Sequence, residues 1–173
     1  SIKGGYNAGC STRDVSQGAT TLNASGGQRT IDIELIDNEL TIDYVTTNGI
    51  DWSIGNWVGY DDEPGTIRLD HVRLLETSIG MSLLNNYDVM IANSLFTARS
   101  GAPNDAVLRF GAYRSEDAAL TEFAVANSTF RGGGLRVVYT PAGGGDEPPF
   151  AQVRLASTVF ENDGAEVVVT NAD

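Results

Sequence analysis

The chain has 173 residues, 18.4 kDa, enough for one domain around one core. Hydrophobic residues make up 41% and charged residues 20%, which excludes a disordered tail, and no apolar run approaches the roughly 20 residues of a membrane-spanning helix. Acidic residues number 23 against 11 basic, and a net charge of −12 repels phosphate backbones, so nucleic acid is not an expected partner.

In chain order, the recurring element is a short apolar–polar alternation closed by Gly, Asn, Asp or Pro, which predicts strands joined by turns. Ile2-Lys3-Gly4-Gly5-Tyr6 reads as the interior of a strand. Cys10 follows among small polar residues, with no second Cys to bridge and no His cluster with which to share a metal. Ile31-Asp32-Ile33-Glu34-Leu35, Leu40-Thr41-Ile42, Thr66-Ile67-Arg68-Leu69, Val107-Leu108-Arg109-Phe110 and Leu135-Arg136-Val137 continue the pattern, and Val167-Val168-Val169 closes it. Twenty Gly are scattered throughout, and few stretches carry the i, i+3, i+4, i+7 apolar spacing of a helix. Neither end carries a signal peptide and both read as interior sequence, so residues 1–173 are expected to form a single domain that is a segment or processed form of a longer chain.

A repeat organises these strands. Anchored on Phe96, Phe130 and Phe160, three segments align: Val89-Met-Ile91-Ala-Asn-Ser-Leu-Phe96, Phe123-Ala-Val125-Ala-Asn-Ser-Thr-Phe130 and Val153-Arg-Leu155-Ala-Ser-Thr-Val-Phe160. Two weaker copies end at Leu74 and Thr47. In all five, the positions seven and five before the anchor are apolar, a pattern that chance would give at about 10⁻⁴ for this composition. Anchor spacings of 27, 22, 34 and 30 residues fall in the range of stacked architectures. The expected unit is a strand with inward apolar residues at i and i+2, a polar bend, an inward anchor, a glycine turn and a second strand. Leu74, Ile91, Phe96, Val125, Phe130, Leu155 and Phe160 are the expected stacking ladder of the core, and Asn93, Asn127, Ser157 and His71 the hydrogen-bonding corner residues. Long loops, Ser100–Asp105 and Pro141–Pro149, would leave at the corners.

The Asn-Ser-x-Phe turns at 93–96 and 127–130, with the N-terminal stretch around Ile2–Tyr6, Cys10, Thr20–Ala24 and Leu40–Asp43, resemble the right-handed parallel β-helix proteins of bacterial surfaces. The N-terminal stretch looks like the opening of the polymorphic-outer-membrane-protein-like, autotransporter-passenger-like group. That resemblance implies an all-β parallel β-helix, a solenoid of about five to six coils with loop insertions at corners. It also implies a secreted or cell-surface passenger, adhesin or structural protein. Strand-like sequence at both ends adds the expectation that copies stack end to end into filaments through exposed edges.

Candidate chemistry is sparse. The Asp trio, Gly-His-Gly and Arg-x-Lys that pectin hydrolases of this fold are expected to show are missing; His71 is the only His and Lys3 the only Lys. Asp70 and His71, adjacent in a strand, are expected to face opposite ways. Trp52, Trp57 and Tyr60 beside Asp51, Asp61 and Asp62 suggest a glycan-stacking surface, with padding of the core as the competing role for the tryptophans. Asp61, Asp62 and Glu63 form the best acidic cluster, a candidate Ca²⁺ site or an ordinary solvated turn, and no other cofactor is expected. The leading expectation is a non-enzymatic surface segment that partners other copies of itself. The alternative is a carbohydrate-active or carbohydrate-binding protein using the Trp52–Glu63 loop on surface polysaccharide.

Overall fold

The computed structural model describes residues 1–6, 13–14, 20–24, 29–34, 39–55, 65–84, 87–99, 107–113, 121–140, 151–161 and 167–171. These form three six-stranded sheets, all parallel, with no helix among the described residues and hence none able to cross a membrane. With strands numbered in chain order, the first sheet holds β1 (Ile2–Lys3), β4 (Glu39–Asp43), β7 (Gly65–Asp70), β10 (Tyr87–Ala92), β13 (Thr121–Ala126) and β16 (Ala151–Ala156). The second holds β2 (Thr20–Asn23), β5 (Val45–Asn48), β8 (Arg73–Thr77), β11 (Leu95–Ala98), β14 (Thr129–Arg131) and β17 (Val159–Glu161). The third holds β3 (Arg29–Glu34), β6 (Ile50–Gly55), β9 (Ile79–Leu84), β12 (Leu108–Tyr113), β15 (Leu135–Thr140) and β18 (Val167–Asn171). Every strand from β4 to β15 therefore pairs with the strand three before and three after it. One tier consists of three strands, and six tiers stack.

The register explains the repeat. Pairing places Thr47, Leu74, Phe96, Phe130 and Phe160 directly over one another, and Leu22 joins the same column below them. The positions five before those anchors form a second column, Ile42, Leu69, Ile91, Val125 and Leu155, extended by Ile2. A third sheet supplies Ile31, Trp52, Ile79, Leu108, Leu135 and Val167. Alternate side chains of each strand share a face, so these columns point inward together and bury one another. Ile67, Val89, Phe96, Leu108, Phe130, Leu135 and Val137 are completely buried. The Phe96, Phe130 and Phe160 rings stack nearly parallel, with centroids 4.9 and 5.1 Å apart. Gly65 pairs with Tyr87, whose ring fills the space that a side chain at 65 would need.

Several expectations change. Ile2–Tyr6 is not a continuous strand: β1 ends at Lys3, and Gly5, at φ +80°, turns the chain away. Leu155 lies on the core column but is 41% exposed, and Phe160 is only partly buried, because β16 and β17 are the last described strands of their sheets and have a neighbour on one side only. Trp52 is not a surface aromatic. It is 2% exposed, inside the third sheet, and its indole N–H donates to Thr47 Oγ1 at 3.3 Å. Asp51 is buried as well; its Oδ1 accepts from the Ser78 backbone N–H and from Arg99, each at 2.9 Å. Trp57, Tyr60, Asp61, Asp62 and Glu63 lie outside the described residues, as do Cys10 and the loops around 100–106 and 141–150.

Position in the stack sets the value of each ring. Phe130→Ala is expected to lower the unfolding free energy by about 3–5 kcal/mol, the usual cost of emptying a buried Phe site. Phe160→Ala, with half as many stacked neighbours, costs clearly less; equal losses in urea unfolding would contradict the column account.

Candidate functional site

The described residues concentrate their polar chemistry at one corner, where the first sheet hands over to the second. Tyr44, His71, Asn93, Asn127 and Ser157 occupy this corner in successive tiers, all with φ between 47° and 54°. An L-residue in this left-handed conformation brings its Cβ close to its own carbonyl, a strain that Asn tolerates best among non-glycine residues. The chain accepts it because the turn keeps the inter-tier ladder running. Backbone N–H groups of Tyr44, His71, Asn93 and Asn127 donate to the carbonyls of Asp70, Ala92, Ala126 and Ala156 in the tier above, at 3.0 to 3.2 Å.

One residue further on, the ladder fails and side chains replace it. The Val72 N–H donates to Ser94 Oγ and the Ser94 N–H to Ser128 Oγ, both at 3.2 Å. The hydroxyls donate in turn to the carbonyls of Ala92 and Ala126, and Thr158 Oγ1 sits equivalently beside Ala156. These buried serines satisfy the Val72 and Ser94 backbone donors at the bend.

Outside the corner the side chains form a connected group. Asn127 donates to Asn93 Oδ1 at 3.5 Å, and Asn93 donates to Asp70 Oδ1 at 3.0 Å. His71 Nδ1 lies 2.9 Å from the same Asp70 oxygen and 3.9 Å from Asp43 Oδ1. The expectation that Asp70 and His71 face opposite ways is therefore overturned. Strand alternation holds only for extended backbone, and the left-handed φ of His71 swings its ring back to the side of Asp70. Two arginines close the group, Arg13 on Asp43 Oδ2 at 2.6 Å and Arg68 on Asp70 Oδ2 at 2.9 Å. Arg13 also lies over the Tyr44 ring, 5.3 Å from its centroid, and Tyr44 stacks on His71 at 4.5 Å.

Burial pushes the Asp70 carboxyl upward, but bonds from Asn93 and Arg68 and the neighbouring His71 and Arg68 outweigh it, leaving the group below the ordinary aspartate range. Asp43 differs: its Oδ1 is buried and has no hydrogen-bond partner. The corner places of Asn93, Asn127, Ser157 and His71 follow the repeat, whereas the grouping of Arg13, Asp43, Arg68 and Asp70 around them carries no sequence motif. No family matches the chain, and neither the characterised proteins nor the solved structures contain a match to it.

Two outcomes follow from the corner geometry. Asn127→Ala is expected to cost about 1–2 kcal/mol through left-handed strain, and Asn127→Gly less, in urea unfolding; an alanine variant as stable as the glycine variant would show the strain to be relieved elsewhere. The lowered Asp70 group stabilises the fold fully above its unfolded value, about pH 3.9, and that contribution is lost as pH falls through its lower folded value. Asp70→Asn should therefore be less stable than wild type at pH 7, with the gap closing in acid below about pH 4; a pH-independent gap would refute the ionic role.

Proposed function

We propose that the chain is part of a right-handed parallel β-helix of the secreted, bacterial-surface kind, with a non-enzymatic structural or adhesive role. The observation that carries this reading is the six-tier stack itself, with every core position covered by its equivalent in the next tier. Six polar corner groups (Tyr44, His71, Asn93, Ser94, Asn127 and Ser128) bond along the stack axis and hold it rigid. Tiers that cover one another in the middle leave apolar groups open at the two described ends: Leu22 at one, Leu155 and Val167 at the other. A further tier of the same pattern, from another copy, would cover them and give end-to-end stacking.

The carbohydrate reading has lost Trp52 and Asp51 to the interior and now rests on Trp57, Tyr60 and the Asp61-Asp62-Glu63 loop. Negative-stain microscopy and light scattering of the purified chain separate the two. Filaments one stack wide support structural stacking. Single particles at high concentration, combined with polysaccharide retention that Trp57→Ala abolishes, would replace that reading with glycan binding.

A further inference from the structure

We propose that Asp43, Asp70 and His71 bind one divalent first-row transition-metal ion of the Zn²⁺ class through Asp43 Oδ1, Asp70 Oδ1 and His71 Nδ1. The site does not depend on the functional reading above. Its residues lie 27 positions apart in sequence and meet because Asp43 pairs with Asp70 in adjacent tiers, while the left-handed corner returns His71 to the same side.

Three observations carry it. One donor atom from each of the three residues lies within 4.8 Å of the others, and His71 Nδ1 is 2.9 Å from Asp70 Oδ1 and 3.9 Å from Asp43 Oδ1. Metal–ligand bonds of about 2.0–2.1 Å in a tetrahedral site separate the donors by roughly 3.3 Å, so a contraction of about 1.5 Å or less closes the set. Each carboxylate also divides its oxygens in the same way. Oδ2 is held by an arginine, Arg13 or Arg68, and Oδ1 is turned toward His71; Asp70 Oδ1 also accepts from the Asn93 amide at 3.0 Å, an outer contact that orients it. Such outer contacts orient ligands in metal sites.

The third observation is independent of the clustering. Asp43 Oδ1 is buried without any hydrogen-bond donor, an expensive condition for a carboxylate oxygen. The imidazole cannot relieve it, because Nδ1 has room for one proton and lies a full ångström nearer to Asp70. A cation between the three atoms satisfies Asp43 and engages the imidazole nitrogen that faces Asp70. A nitrogen donor with two carboxylates suits Zn²⁺ and its neighbours, whereas Ca²⁺ takes six to eight oxygens. His71, at 41% side-chain exposure, opens the route from solvent, and the net charge of −12 favours cation approach while Arg13 and Arg68 moderate the affinity.

The fold itself supplies the control variant. Asn stands at the His71 position in the next two tiers with the same backbone conformation, so His71→Asn keeps the corner and removes the nitrogen ligand; Asp43→Asn is the second variant. The untagged chain, stripped with chelator, is titrated with Zn²⁺ by calorimetry and followed by thermal unfolding. The expected result is one ion per chain and a melting temperature raised by several degrees at saturating Zn²⁺, with both effects lost in each variant. No rise in the wild type, an equal rise in wild type and both variants, or an equal rise with Ca²⁺ would overturn the proposal.

Discussion

Strands of a parallel ladder lie about 4.8 Å apart, and that spacing forces each residue to sit on its equivalent in the next tier. Everything else in the molecule follows from like lying on like. An apolar position must be apolar in every tier, or a column is interrupted by a polar group with no water to meet it. Aromatic rings fall at stacking distance without further adjustment, as Phe96, Phe130 and Phe160 do. The one interruption in the anchor column, Thr47, is answered by the indole N–H of Trp52 from the third sheet.

The same constraint governs the corner. A chain that leaves one sheet for the next must bend without losing its inter-tier bonds, and a single left-handed residue achieves this. Asn fills the place twice because it bears the strain at least cost and has an amide that reaches its neighbour along the stack. Tyr44 and His71 fill it with rings that stack on each other, which recovers some of the strain. The chemical consequence is indirect. By breaking strand alternation, the bend brings a carboxylate and the residue after it to one side, and two consecutive tiers then set Asp43, Asp70 and His71 together.

Much of this was legible in the residues. The five aligned segments map onto the pairing register without a shift, because an apolar pair at i and i+2 followed by an inward anchor is what a stacked strand and corner require. Asn93-Ser94 and Asn127-Ser128 read as hydrogen-bonding bends for the same reason. The first tier was harder to see: β2 offers Thr and Asn around a single Leu22, and its strand character comes from pairing with β5 and not from its own pattern. Trp52 could be read as a surface aromatic beside Asp51 or as padding of the core; alternation puts it inward, and Asp51 is buried by bonds from residues 27 and 48 positions away.

Sequence alone determined the repeat, the core columns of the first two sheets and the corner places of His71, Asn93, Asn127 and Ser157, since each is set by side-chain type at a fixed local offset. Only the tertiary structure decided which tier lies on which, and therefore which distant charges meet. Arg13 finds Asp43 thirty residues away and His71 lies over Tyr44, although no spacing within either segment announces the contact. The loops between tiers differ in length, so residues that touch across the stack share no constant separation in the chain.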